Sequence, residues 1–157
     1  MLYLIKAVGA VLIMLSGIVL SSSLCAADEK SINSTEALLS IVKFTKNQID
    51  CFGIPIGEIF KRCDRELLEK CAVYSSPISF DDFISVAELP DEAKKIITAF
   101  SSEFGSSYRD GQLKSCDYCI ARLSECLANQ KEDYKKNKKL YRAICLSASI
   151  GIIILAI

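Results

Sequence analysis

Histidine is absent from the 157 residues of this chain. Its absence removes the commonest general base, the usual activator of a nucleophile and the commonest nitrogen ligand of zinc. Glycine is sparse at seven and proline sparser at three, and no glycine-rich loop of the kind that cradles phosphate occurs. The acidic residues form no helix-spaced ligand set such as Glu-x-x-His, so a metal centre is not indicated. Asp81-Asp82 and Asp91-Glu92 are explained by the preference of first helical turns for negative charge. Neither sign of charge is in excess, with 19 Lys+Arg against 19 Asp+Glu, and 51% of the residues are hydrophobic. Global disorder is therefore excluded, and one folded domain without enzyme chemistry, cofactor or small-molecule substrate is expected.

What is present in quantity is apolar sequence at the two ends. Mean hydropathy is +0.30, high for a soluble protein. From Leu2 to Ala27 the only charge is Lys6, a length sufficient to cross a hydrocarbon core of roughly 30 Å as a helix. The small residues Ser21, Ser22, Ser23 and Cys25-Ala26-Ala27 also allow a cleaved signal peptide. Ala143–Ile157 carries no charge over 15 residues, about 22 Å as a helix. Immediately before it, residues 131–142 hold six basic residues (Lys131, Lys135, Lys136, Lys138, Lys139, Arg142) against Glu132 and Asp133, a local net charge of +4. Such a run can be a solvated helix face, a nucleic-acid patch or a cytoplasmic anchor beside a membrane segment. Its position against the apolar tail favours the anchor, formed by Lys135, Lys136, Lys138, Lys139, Tyr141 and Arg142, and no nucleic-acid partner is expected. The expected organisation is an N-terminal transmembrane helix over 1–27, a cytoplasmic helical bundle over 28–142 and a hydrophobic membrane segment over 143–157.

Between the ends, the apolar spacing is helical throughout. Asn33 or Ser34 with Glu36 resembles a helix start, followed by Leu38, Ile41, Val42, Thr45 and Ile49 at helical intervals to about Asp50. After the break at Phe52-Gly53-Ile54-Pro55, the residues Ile56, Ile59, Phe60, Cys63, Leu67 and Cys71 predict a second helix to about Tyr74. Ser79 with Asp82 predicts the cap of a short helix that buries Phe80, Phe83 and Ile84. Pro90 opens another, with Ala93, Ile96, Ile97, Phe100 and Phe104 inward and Gly105 as its stop. From Ser107 or Asp110 onward one long helix is expected, because Leu113, Cys116, Ile120, Leu123, Leu127, Gln130, Tyr134, Asn137, Tyr141 and Ile144 alternate three and four apart. The fold class is all-α, a compact bundle between two hydrophobic ends. The seam weakens at Gln130 and Asn137, where the helix is expected to leave the core.

Six of the eight cysteines (Cys51, Cys63, Cys71, Cys116, Cys119, Cys126) fall between the apolar ends. An even count allows disulfides in an oxidising compartment. Cys116, Cys119 and Cys126 nevertheless share one helix face beside the apolar seam, where a free cysteine acts as a small hydrophobe. Zinc would need further ligands that no second Cys-x-x-Cys and no histidine supply. A thiol redox pair would need a depressed pKa that only the nearby helix start offers. Asn33-Ser34-Thr35 matches a glycosylation acceptor but coincides with the expected cap.

Phe104-Gly105, Gly111-Gln112-Leu113-Lys114 and Lys139-Leu140-Tyr141-Arg142 before an apolar tail resemble, in order and spacing, the carboxyl half of the stage III sporulation protein AB family. Gln48-Ile49-Asp50-Cys51-Phe52-Gly53-Ile54-Pro55-Ile56 and the short N-terminal apolar helix are similar to the upstream part of that family. The resemblance implies a protein of endospore-forming bacteria, anchored in the mother-cell membrane around the forespore. Its helical domain would be similar to the cytoplasmic domain of the type II secretion F component. The implied partners are a secretion-type ATPase, stage III sporulation protein AA, and the other proteins of the channel linking mother cell and forespore. On such an adaptor the expected contact face is Tyr108, Arg109, Asp110, Gln112 and Lys114 at the start of the long helix, with Arg62, Arg65 and Glu66 as the second face. The rival from another class is a secreted, disulfide-rich helical surface protein with a cleaved signal peptide and a C-terminal lipid anchor.

Overall fold

A computed structural model describes the backbone of residues 2–104 and 108–156. The side chains of residues 1–8, 10–14 and 152–157, and those of Ser21, Ile56, Arg142 and Ser149, lie outside the description, as do residues 105–107, among them the expected helix stop Gly105 and the expected helix start Ser107. Among the described residues all regular structure is helical: α1 (Leu2–Phe52), α2 (Ile56–Arg62), α3 (Arg65–Lys70), α4 (Phe80–Val86), α5 (Asp91–Phe104) and α6 (Arg109–Ala156). The chain divides into two compact units, one of residues 31–130 and one formed by residues 1–30 with 131–157.

α1 is a single helix of 51 residues, where the sequence predicts a fresh start near Asn33. The cap is not made because the hydroxyls turn back on their own helix. Ser34 donates to the Ser31 carbonyl at 3.0 Å and Thr35 to the same carbonyl at 3.0 Å. Between Gly17 and Gly53 there is neither glycine nor proline to stop it. Asn33, the candidate glycan acceptor, is an exposed mid-helix residue. Gly53, at φ +60°, ends α1 by donating its N–H to the Ile49 carbonyl at 3.2 Å, the left-handed closure that a side chain would strain.

The expected second helix is two. Cys63 is extended, and Asp64 caps α3 by accepting from the Glu66 N–H. α3 stops four residues before Tyr74 because Ala72 takes φ 59°. Its N–H donates to the Glu69 carbonyl at 2.9 Å, and the Val73 N–H donates to the Leu68 carbonyl at 2.9 Å, with Val73 and Leu68 both buried. That pair of bonds is a Schellman closure with its apolar contact residues in place. α4 is capped as expected, Ser79 accepting from the Asp82 N–H at 3.1 Å, while the Asp82 carboxylate accepts from the Ile78 N–H at 3.0 Å. α5 begins directly after Pro90 with Asp91 and Glu92 in its first turn.

The core of residues 31–130 has two parts. Leu38, Ile41, Val42, Thr45 and Ile49 of α1 and Cys116, Cys119, Leu123, Cys126 and Leu127 of α6 are buried. Thr45 satisfies its hydroxyl on the Ile41 carbonyl at 2.9 Å. α2, α4 and α5 supply a phenylalanine cluster centred on Phe80, whose ring lies 5.0 Å from Phe60, 5.1 Å from Phe100 and 5.6 Å from Phe104. All three contacts are edge-on, the arrangement that ring quadrupoles favour. Phe83 stacks on Phe60 at 5.8 Å.

In the other unit, Gly9, Gly17, Cys25 and Asp28 of α1 and Tyr134, Asn137, Lys138, Tyr141, Cys145 and Gly151 of α6 are half-buried. Among the described residues, no helix is long and apolar enough to cross a membrane. Large apolar side chains are nonetheless exposed there: Leu15, Ile18, Val19, Leu20 and Leu24 on α1, and Leu140, Ile144, Leu146 and Ile150 on α6.

Because Ala72 occupies a conformation that costs an L-residue about 1 kcal/mol, Ala72→Gly is expected to raise the unfolding free energy by about that amount. Urea denaturation of the variant checks this, and an unchanged or lowered midpoint would contradict it.

Candidate functional site

The start of α6 is held by the end of α1. The last carbonyls of a helix lack intrahelical donors and carry partial negative charge. Arg109, the first residue of α6, answers both needs. Its Nε donates to the Ile49 carbonyl at 3.4 Å, and its Nη2 donates to the Asp50 carbonyl and to the Asp50 carboxylate, the latter at 3.1 Å. Two turns further along α6, Asp117 accepts from Lys46 at 2.6 Å. The pairs 46–117 and 50–109 run in opposite directions along the two helices, so α1 and α6 are antiparallel here. The Asp117 hydrogen bond, followed by its charge, raises the Lys46 pKa.

Around this junction Tyr108 is 96% exposed, and Asp110 and Lys114 are exposed. Gln112 is half-buried, and its N–H continues the helix by donating to the Tyr108 carbonyl at 3.0 Å. Arg109 thus has a structural task, and Tyr108, Asp110 and Lys114 are the members of the expected face that are free to meet a partner. Phe52, 70% exposed at the end of α1, stands next to the carbonyls that Arg109 holds, and Ile78 is 77% exposed with its carbonyl 3.5 Å from where a Cβ on Gly57 would sit. Apolar spacing gave no reason to single out these two. The signal available for Phe52 was its position directly before the helix-stopping Gly53.

The second expected face consists of residues paired inside their own helices. Arg62 meets Glu58 at 3.4 Å, Arg65 meets Glu69 at 3.3 Å and Glu66 meets Lys70 at 2.8 Å, all exposed pairs at i,i+4. Arg62 lies on α2 and the other two on α3. Of the basic run, Lys135, Lys136 and Lys139 are exposed while Lys138 and Tyr141 are half-buried, and the Arg142 side chain lies outside the description. Lys136 pairs with Glu132 at 2.8 Å.

All eight cysteines are free thiols, so the three bridges required by the exported alternative are not formed. Cys71, Cys116, Cys119 and Cys126 are buried in the core. Burial pushes the Cys71, Cys116 and Cys119 thiols up to about 12, and those of Cys63 and Cys126 up to about 11. Such thiols are poor nucleophiles, which removes the argument for a Cys116–Cys119 redox pair. Among the described residues no group of His, Cys, Asp and Glu could hold a metal ion.

The arrangement is thus that of an all-helical protein in which Arg109, Lys46, Arg62, Arg65 and Glu66 cap or pair within the bundle. A family model described as stage III sporulation protein AB matches residues 77–157, just over half of the chain, and the chain belongs to that family. Membership ties it to sporulation, in a family of structural sporulation proteins and not a known enzyme family. No curated protein and no solved structure gives a significant match.

The thiols make a pH prediction with a definite sign. In the unfolded chain they ionise near 9.0, whereas in the fold Cys71, Cys116 and Cys119 hold their protons to about 12. The unfolded state therefore loses protons first, and stability is expected to fall as pH rises from about 9 to 12. Urea midpoints across that range check it, and a Cys71→Ser/Cys116→Ser/Cys119→Ser variant should show a shallower decline. At neutral pH, maleimide is expected to label the exposed Cys51 in the native protein and these three only after unfolding.

Proposed function

We propose that this protein is a membrane-anchored, non-enzymatic adaptor of the mother cell–forespore channel complex required for endospore formation, on which the secretion-type ATPase stage III sporulation protein AA docks. The observation that carries the membrane part is the display of large apolar side chains at the helix ends. Leu15, Ile18, Val19, Leu20 and Leu24 on α1 and Ile144, Leu146 and Ile150 on α6 are all exposed, where a water-facing surface would hide a patch of that kind. They sit within sequence that carries no charge from Ala7 to Ala27 and from Ala143 to Ile157. The basic run then lies at the cytoplasmic interface of the mother-cell membrane around the forespore, and residues 28–142 stand in the cytoplasm.

The adaptor part is supported by the family, by a core whose buried polar groups are mostly satisfied, and by the exposed junction at the start of α6. Tyr108, an aromatic side chain almost wholly in solvent directly before the helix that carries Asp110 and Lys114, is the type of anchor that dominates protein interfaces.

Tyr108→Ala combined with Lys114→Glu is expected to weaken capture of the ATPase at least tenfold in pull-down from detergent extract, with helical content unchanged. Arg109→Ala is the control for stability. Removing the clamp on α1 should lower the unfolding free energy by about 1 kcal/mol, and any loss of capture should follow that loss of stability. Full capture by the double variant would exclude this face as the docking site.

A further inference from the structure

Between α5 and α6 runs an open groove of about 210 Å³ that shares no residue with the exposed face at the start of α6. Residues 105–108 alone separate the two helices in the chain, so they form an antiparallel hairpin. Lys95 on α5 therefore faces Arg122 on α6 at one end of the groove, and Glu103 faces Ser115 at the other, about 12 Å away. Half-buried Ile96 and buried Phe100 and Cys119 form the floor. The exposed Ala99 keeps the middle open, and Tyr118, 69% exposed, stands on the α6 wall.

The volume lies below the roughly 300 Å³ at which small-molecule sites begin. Both walls are helices whose backbone bonds are internal, so an extended peptide finds no main-chain partner there. Side chains projecting from a helix, by contrast, suit a channel two turns long with an apolar floor. Charge gives that helix a direction. The C-terminal end of a helix is partially negative and its N-terminal end partially positive. Lys95 and Arg122 on facing walls complement the first, and Glu103 complements the second. Arg122 also meets Glu125 at 3.4 Å, an exposed pair of the kind that contributes little and is exchanged at low cost.

We infer that this groove docks an amphipathic helix of another protein. The helix lies parallel to α6, with apolar side chains at i and i+4 over Phe100 and Cys119 and acidic side chains of its last turn between Lys95 and Arg122. A second copy of this chain does not suit the membrane arrangement proposed above. Copies in one membrane share one orientation, and would bring Lys95 and Arg122 against their own counterparts.

The probe is a hydrocarbon-stapled, fluorescein-labelled peptide of about 16 residues, with leucines at i and i+4 and two glutamates in its last turn. Its counterpart carries two lysines in place of the glutamates. Fluorescence anisotropy against the full chain in detergent, with empty micelles as blank, is expected to show roughly tenfold tighter binding of the glutamate peptide. The Lys95→Glu/Arg122→Glu variant should reverse that order, and Ala99→Trp, which fills the groove, should abolish binding of both. All three positions are exposed, so circular dichroism should be unchanged. The Tyr108→Ala/Lys114→Glu variant should bind the glutamate peptide as the unaltered chain does, which separates this groove from the ATPase docking face. A loss of binding there would assign the peptide to that face and overturn the inference. Absence of binding, equal binding of the two peptides, or binding that survives Ala99→Trp would also overturn it. A dimer of the unaltered chain in sedimentation that Ala99→Trp dissociates would overturn it in favour of a second copy.

Discussion

The antiparallel pairing of α1 and α6 across the bundle is the constraint on which the other helices depend. It is fixed at two points, where Arg109 clamps the last carbonyls of α1 and where Lys46 meets Asp117. It is driven by the buried residues that both helices contribute between those points and residues 31 and 130. Exposed ion pairs add little free energy to such a contact. They fix its register, because a slip of one turn would leave Arg109 without the carbonyls it caps. The short helices α2, α4 and α5 then have one task, which is to bring five phenylalanines together. Phe80 at the centre is positioned by the Ser79–Asp82 cap.

The cysteines follow from the same constraint. A closely packed helical core accepts small side chains, and Cys116, Cys119 and Cys126 are small, apolar when protonated and buried among larger neighbours. The low-polarity surroundings that make them good packing residues also keep them protonated. Their number therefore reports on packing.

Much of the fold was legible because local signals agreed with the tertiary result. Ser79 with Asp82, Pro90 before Asp91, and the three-and-four spacing from Leu113 to Tyr141 all correspond to observed elements, with every described seam residue through Tyr141 buried or half-buried. The failures have physical causes. Asn33-Ser34 has the composition of a cap, but capping needs a non-helical backbone, and Ser31 offers its carbonyl to both hydroxyls instead. The split at Cys63–Asp64 and the left-handed Ala72 are decided by packing of Leu68 and Val73, which helical periodicity alone does not encode. At the candidate site, the exposure of Tyr108 and Lys114 follows from their place outside the seam. The role of Arg109 depends on a carbonyl 60 residues earlier in the chain and could not be read locally.

We propose that the helical bundle is held on the cytoplasmic face of the membrane by apolar helix ends. The most direct test of this is alkylation of sporulating cells with a membrane-impermeant maleimide, read residue by residue by mass spectrometry on the membrane fraction. The account predicts no labelling of Cys51 in intact cells, rapid labelling after permeabilisation, and labelling of Cys71, Cys116 and Cys119 only after unfolding and without reductant. Labelling of Cys51 in intact cells, or a need for reductant at the core cysteines in a chain that begins at Asp28, would place the domain outside the cell and contradict it.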